Sequence, residues 1–331
     1  MVNPLTSRAI RTSVAFAISG GLLWFTLRAI DLRELERVLR SSSLTWIGVS
    51  LAVYWLEIAM RSMRWRMLLR PVAALTFGQV VLSLVIGYAA NNALPARLGE
   101  VFRAHFVGKR YNLSRAAAMA TIVVERLLDV IAVLACAAAG LVAMAGDGGQ
   151  STLSGTRSNI VNGLIVATAV ASILVFAVYA LAAYGRSAAR RGSARFAHVF
   201  ASVLAGLQPV SRPGRLLPLI APSVLIWVCN GLSMYAVLLA VGIHPSAPTV
   251  ALLLGVAGIA AALPAGPANL GTLQYAFIVS LGAAGHAATP AFAAATLVQV
   301  FLLGSVTIAG ALLYAATTRR SRAEGNVRAS P

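Results

Sequence analysis

Three ionisable residues sit inside one long apolar run: Glu125, Arg126 and Asp129. Glu125 and Asp129 are four apart, so on a helix their carboxylates share a face. Arg126 points about 100° away and needs a different partner. One isolated charge at the centre of a bilayer costs ~2.5–3.5 kcal/mol on insertion. Such groups must face protein or water, and pair. Glu57, Arg61 and Arg64 make a second stripe at four- and three-residue spacing; Arg97, Glu100 and Arg103 make a third. Arginines gathered in a polar chamber hold a phosphate through bidentate hydrogen bonds. Carboxylates beside them fix the arginines or carry protons. The plainer reading is a set of salt bridges that fixes helix register. It suits Glu57 and Arg61, near a helix end, whereas three charges between 125 and 129 exceed what register needs.

The elements that position these groups are broken ones. Asn91 to Val107 reads NNALPARLGEVFRAHFV, and Ala261 to Val279 reads AALPAGPANLGTLQYAFIV. Each holds Ala-Leu-Pro-Ala, then Leu-Gly, then a run able to form a helix. Proline and glycine inside apolar segments interrupt the helix. In a bilayer, such backbone survives only in protein or against a wet cavity, and matching breaks in two halves mark a substrate site. The first break offers Asn91, Asn92, Pro95, Arg97, Gly99, Glu100 and Arg103; the second offers Pro264, Gly266, Asn269, Gly271, Thr272 and Gln274. A helix starting near Gly99 aims its positive end at the break, which suits an anion. Glu100 in that first turn already answers the dipole and competes with a phosphate unless protonated or paired. The second break is uncharged: Asn269, Thr272, Gln274 and Tyr275 provide only hydrogen bonds. A tight turn between packed half-helices fits it as well.

Composition sets the class. Hydrophobic residues are 59% and charged residues 11% of the 331, too few charges for the surface of a soluble protein this size. The fold expected is all-α: a polytopic membrane helix bundle of about eight hydrophobic segments. Six are full-length: Ser13–Leu27 (a retained first helix), Leu44–Met60, Ala116–Ala145, Ile160–Tyr184, Leu216–Val241 and Pro290–Thr317. Two are broken, Thr76–Tyr111 and Thr249–Gly282, read as re-entrant hairpins entering from opposite sides. One integral membrane domain is expected over residues 1–331, with inverted halves at about 1–184 and 185–318 and a short basic tail at 319–331. The net charge of +18 points to positive-inside loops near anionic lipid headgroups, not to nucleic acid. Arginines crowd 61–70, 97–115, 186–215 and the tail, which places both termini in the cytoplasm of a bacterial inner membrane. Arg28–Arg40 carries four arginines on the other side and objects. Ser193–Leu207 reads as an amphipathic helix, either interfacial or packed on the bundle.

Gly-x-Ser-x-Gly and His-Glu-x-x-His are both absent, and His105, His198, His244 and His286 are scattered. Cys136 and Cys229 lie in apolar runs without metal spacing. Glu125 and Asp129 with a magnesium ion and a lipid phosphate would be a phosphotransferase or phosphatase site. The expectation is nevertheless a chain that is not an enzyme and has no cofactor or metal.

The stretch Asn91–Val130 resembles a known family. Asn91 or Asn92, Leu94, Pro95, Arg97, Gly99 and Glu100, a basic loop, then Glu125, Arg126 and Asp129 are similar to the motifs of the flippase-like membrane domain of lysylphosphatidylglycerol synthases. Pro264, Gly266, Pro267 and Gly271 are similar to that family's later Pro-Gly-rich turn. The resemblance implies a transporter or flippase moving a polar-headed lipid between leaflets. The lipid it implies is an aminoacylated phospholipid, a polyprenyl-phosphate carrier or a hopanoid-like amphiphile. A lipid-presenting partner of a lipid- or glycan-modifying enzyme is the alternative. The family's glutamate near Gln274 is neutral here. The chain stops soon after Arg328, so a stand-alone protein without the soluble synthetase domain is expected.

Overall fold

A computed structural model describes residues 20–21, 23–24, 27–28, 30–94, 98–146, 194–207, 213–262 and 266–329. Among the described residues every regular element is helical. The elements are α1 (Leu32–Arg40), α2 (Leu44–Leu69), α3 (Phe77–Ala93), α4 (Leu98–Arg110), α5 (Arg115–Gly146), α6 (Ala194–Leu207), α7 (Pro213–Ala240), α8 (Ala247–Ala262), a 3-10 turn (Pro267–Asn269), α9 (Thr272–Gly282), α10 (Ala288–Leu297), a π turn (Val298–Leu303) and α11 (Gly304–Ala329). Among the described residues, three stretches are long and apolar enough to cross a membrane: Arg115–Met144, Leu217–Ala240 and Ala288–Arg319. Helices α1 and α2 make a fourth only as a pair bent by 79°. The expected Ile160–Tyr184 segment, nearly all of Ser13–Leu27, and Pro95, Arg97 and Pro264 lie outside the described residues.

Helices α2 and α7 form the most extensive contact and run antiparallel. Ser50 Oγ donates to Ser233 O at 3.0 Å while Ser233 Oγ donates to Ser50 O at 3.1 Å. Ser43 N donates to Ala240 O at 2.9 Å, so the α1–α2 bend and the C-terminal end of α7 share one end of the bundle. Arg28–Arg40 therefore sits at the same end as Gly242–Pro248.

Both broken segments are hairpins. A Thr76–Gln79 capping box starts α3, and α4 folds back along it. Gly87 and Gly99 set that approach. A Cβ at Gly87 would lie 2.8 Å from Arg103 Cβ, and one at Gly99 would collide with Asn91 N and stand 2.6 Å from Gly87 O. The pairing of 87 with 103 and 91 with 99 is antiparallel, and the chain leaves at the end where it came in. Gly99→Ala is expected to destabilise by about 1–3 kcal/mol, the usual range for overpacking, read as an earlier thermal unfolding in detergent. Helix α8 starts at the opposite end, beyond α7, and packs antiparallel on α5 with Gly140 over Leu252 and Gly258 over Val133. Its return arm α9 leads into α10, which packs on α1. The first hairpin packs on α11 in the same manner as the second packs on α5.

The breaks fall at mid-span. Asn92 at the tip of the first hairpin donates to Leu303 O (3.3 Å) and Thr307 Oγ1 (2.9 Å), halfway along Ala288–Arg319. Helix α6 packs on α5, where Gly206 lies over Ala117 and Ala120. The packing on the bundle that was one of the two expectations for Ser193–Leu207 is present over 194–207.

Candidate functional site

Helix α5 presents Glu125, Arg126 and Asp129 at the middle of its apolar span. From α4 comes Arg103, whose stem fills the space left by Gly87. The Arg103 guanidinium lies 4.1 Å from the centroid of the Trp65 ring, a cation–π contact. Trp65 is held in turn by its indole N–H donating to Thr121 Oγ1 at 3.1 Å. Arg103 Nη2 donates to Glu125 Oε2 at 2.7 Å, and Arg126 Nη2 to Glu125 Oε1 at 2.6 Å.

Asp129 is the second hub. It accepts from Arg64 Nη2 at 2.6 Å and Arg61 Nη1 at 3.2 Å, and Arg126 Nη1 stands 3.4 Å away. Arg61 Nε also donates to Glu57 Oε1 at 2.7 Å. Asn230 Nδ2 of α7 reaches both Glu57 oxygens, at 3.1 and 3.0 Å, and Arg64 Nη1 reaches Ser223 Oγ at 3.2 Å. The loosest contact is Arg126 Nε to Glu100, at 3.5 Å. Four arginines thus face four carboxylates, a neutral set. Arg64 and Glu125 have no exposed surface and Arg103 has 2%, so their charges depend on these partners. The Arg126 side chain, 29% exposed, is the open edge.

Donors outnumber acceptors in this cluster. Arg64 Nε, Arg103 Nε, Arg126 Nε and Trp227 Nε1 are buried without a hydrogen-bond partner; Asn91 Oδ1 is an unpaired acceptor beside Gly99. Buried donors without acceptors require an explanation, and an oxygen-rich anion supplies one.

The three stripes read from the sequence converge, apart from Arg97, which is not described. Two readings are extended. Arg126 was expected to need a different partner; it has one in Glu100 of α4, and its long side chain also reaches Glu125 and Asp129 on its own helix. Glu57 and Arg61, read as a register pair, belong to the same cluster through Asp129. Sequence reasoning missed Ser223, Trp227 and Asn230. Their four- and three-residue spacing on an apolar helix was the available signal. A magnesium ion between Glu125 and Asp129 would first have to displace guanidiniums.

The second break does not join the arginines. Ala268, Asn269 and Gly271 take positive φ of 52°, 54° and 82°. Gly271 N donates to Gln274 Oε1 at 2.8 Å and Thr272 Oγ1 to Asn269 O at 2.9 Å. Gln274 Nε2 donates to Gln299 Oε1 at 2.6 Å, and Gln299 Nε2 to Ala268 O at 3.1 Å. Gly266 is buried, Thr272 and Gln274 are buried, and Tyr275 is exposed. These polar groups are spent on holding the turn. Gln299 lies in the π turn that also receives Asn92, so both breaks are tied to one irregular turn of the last span, a kind of irregularity frequent at functional sites. Gln299→Leu is expected to cost about 1–3 kcal/mol through the acceptor and donor it strands, with faster amide exchange at 266–274.

The sequence pattern described as the lysylphosphatidylglycerol synthase TM region matches residues 13–310. The chain belongs to this family. Among curated relatives, Glycosyltransferase AglD of Haloferax volcanii is 24% identical over 341 residues, covering 93% of this chain and 54% of the relative. A UPF0104 membrane protein of Methanocaldococcus jannaschii is 25% identical over 122 residues, covering 36% of each. The chain thus spans about half or less of the curated relatives it matches. No solved structure matches. The glycosyltransferase relative overturns one expectation: a non-enzymatic chain was inferred from missing motifs, yet a relative aligned over nearly the whole chain carries an enzyme's name. Motifs of soluble hydrolases and zinc proteases do not cover chemistry performed on a membrane lipid. For this member of the lysylphosphatidylglycerol synthase TM region family, the coarser statement holds: a helical membrane protein with a lipid-related function.

Proposed function

We propose that this chain binds a phosphate-headed lipid at the Arg64–Arg103–Arg126 cluster and carries it between leaflets. The observation behind it is the set of three guanidinium Nε–H groups buried at mid-span without a hydrogen-bond partner, Arg126 Nε facing only the loose Glu100. A phosphate would approach Arg126 at the open edge and displace Glu100 from its 3.5 Å contact. Charge-assisted hydrogen bonds run at about 2.7–2.9 Å, so a phosphate would replace a loose contact with a close one. The hairpins enter from opposite ends, and their equivalent packing on α5 and α11 supports inverted halves that rock about the midplane. Asn91 and Gly99 of the first break, and Gly266 to Gln274 of the second, would shape the passage.

The arginine-rich end of α2, α4 and α11 suits the cytoplasm of a bacterial inner membrane, with anionic headgroups around it. Helix α1 at the other end lies across α2 and pairs Arg40 with Glu36 at 2.8 Å, which softens the objection from Arg28–Arg40. The glycosyltransferase name of one relative supports a second reading, in which the bound lipid is a glycosyl carrier handed to, or altered in, a glycosyl-transfer reaction. Purified chain in liposomes with a labelled phospholipid and a labelled polyprenyl phosphate tests both. Leaflet exchange above protein-free vesicles is expected. Exchange at the protein-free rate overturns transport, and a chemically changed lipid carries the second reading.

A further inference from the structure

Helix α7 turns one polar line toward the Glu57–Arg61–Arg64 stripe of α2. Ser223, Trp227 and Asn230 stand four and three apart and share a face. Two are accounted for: Ser223 Oγ accepts from Arg64 at 3.2 Å, and Asn230 donates to Glu57 at 3.0 Å. Trp227, between them, is not. Its indole Nε1 is buried without a partner, while its ring centroid lies 6.0 Å from the Arg61 guanidinium. An indole N–H is a donor only, and a buried donor without an acceptor carries its full desolvation cost. The nearby carboxylates are engaged: Glu57 by Arg61 and Asn230, Asp129 by Arg61, Arg64 and Arg126.

We infer that Trp227 is a specificity-determining residue of this site, its indole N–H taking an uncharged oxygen of the lipid headgroup next to the phosphate. The inference rests on the phosphate-lipid reading above and deepens it. Charge divides the labour. Anionic oxygens go to the guanidinium Nε–H groups, where bonds are charge-assisted. The neutral indole lies on the Arg61 side and distinguishes headgroups that share the phosphate. A site built to bond a hydroxyl rejects the analogue lacking it, because its own donor is then stranded.

The test uses the purified full chain in phosphatidylcholine nanodiscs. Phosphatidylglycerol and phosphatidylpropanol share a phosphodiester and differ in the headgroup hydroxyls. Native mass spectrometry reads the binding of each. The unmodified chain is expected to prefer phosphatidylglycerol about tenfold, the worth of one buried neutral hydrogen bond. Trp227→Phe, which keeps an aromatic ring and removes the N–H, is expected to bind phosphatidylpropanol as before and to lose the preference. Benzothienylalanine at 227 replaces the N–H by sulfur with the ring shape kept; it stands in if the phenylalanine variant does not fold, and the same loss is expected. Equal binding of both lipids by the unmodified chain, or a preference that survives removal of the N–H, overturns the role of Trp227 and leaves the phosphate-lipid reading intact. Failure of the unmodified chain to bind either lipid, or a polyprenyl phosphate offered in their place, sinks that reading, and this inference with it.

Discussion

Asp129→Ala is expected to lower the stability of the folded chain by about 3–5 kcal/mol, the range for removing one partner of a buried ion pair. Its carboxylate accepts from Arg64 at 2.6 Å and from Arg61 at 3.2 Å, with Arg126 at 3.4 Å. Arg61 retains Glu57, and Arg126 retains Glu125. Arg64 retains only the Ser223 hydroxyl, and it has no exposed surface. A guanidinium there has no exposed surface, and Glu125, the carboxylate that still acts on it, is already bonded to Arg103 and Arg126. Most of the loss should therefore belong to Arg64, so adding Arg64→Met to Asp129→Ala should recover part of it. Denaturant unfolding in detergent micelles measures both. A loss under about 1 kcal/mol, the value of an exposed pair, would mean that water already reaches Arg64.

The same residues show what the sequence discloses. Local spacing was readable: Glu125 with Asp129, Glu57 with Arg61 and Arg64, and Glu100 with Arg103 each follow helix geometry, and apolar context made every charge informative. The hairpin breaks were readable because proline and glycine act on the backbone directly. Pairing between stripes was not. Asp129 and Arg64 are 65 positions apart, and no periodicity says which helix faces which. Arg126 was legible only in part: a different partner was expected and Glu100 of α4 is one, but the Cα direction on a helical wheel does not limit a side chain long enough to fold back along its own helix. The role of α7 was hidden because Ser223, Trp227 and Asn230 are uncharged, and single polar residues on an apolar helix are ordinary. The second break looked like half of a site because its motif matches the first. Its hydrogen bonds are instead closed within the turn and onto Gln299, a residue 25 positions from Gln274 that no motif marked.

Arg126→Ala should separate function from folding. Glu125 keeps Arg103 at 2.7 Å, and Asp129 keeps Arg61 and Arg64; Glu100 loses only the loosest contact, 3.5 Å, and its side chain is 23% exposed. The unfolding temperature should stay close to that of the unmodified chain. Lipid movement should not survive. Arg126 is the exposed edge of the cluster, and it is the arginine that a phosphate can reach without unpacking the core. Two charge-assisted hydrogen bonds at about 1.5–3 kcal/mol each correspond to a fall in leaflet exchange of roughly a hundredfold or more. Arg126→Lys keeps the charge but not the planar fork that grips two oxygens, and should fall between. Glu125→Gln should also stop movement, since a carboxamide turns a donor toward one of its two guanidiniums, but with a loss of stability that Arg126→Ala does not share. Exchange of a labelled lipid in proteoliposomes, set beside thermal unfolding of the same preparations, separates these cases. Movement at the original rate in Arg126→Ala would return residues 125–129 to fixing helix register, and the mid-span cluster would then be a structural joint between α2, α4, α5 and α7.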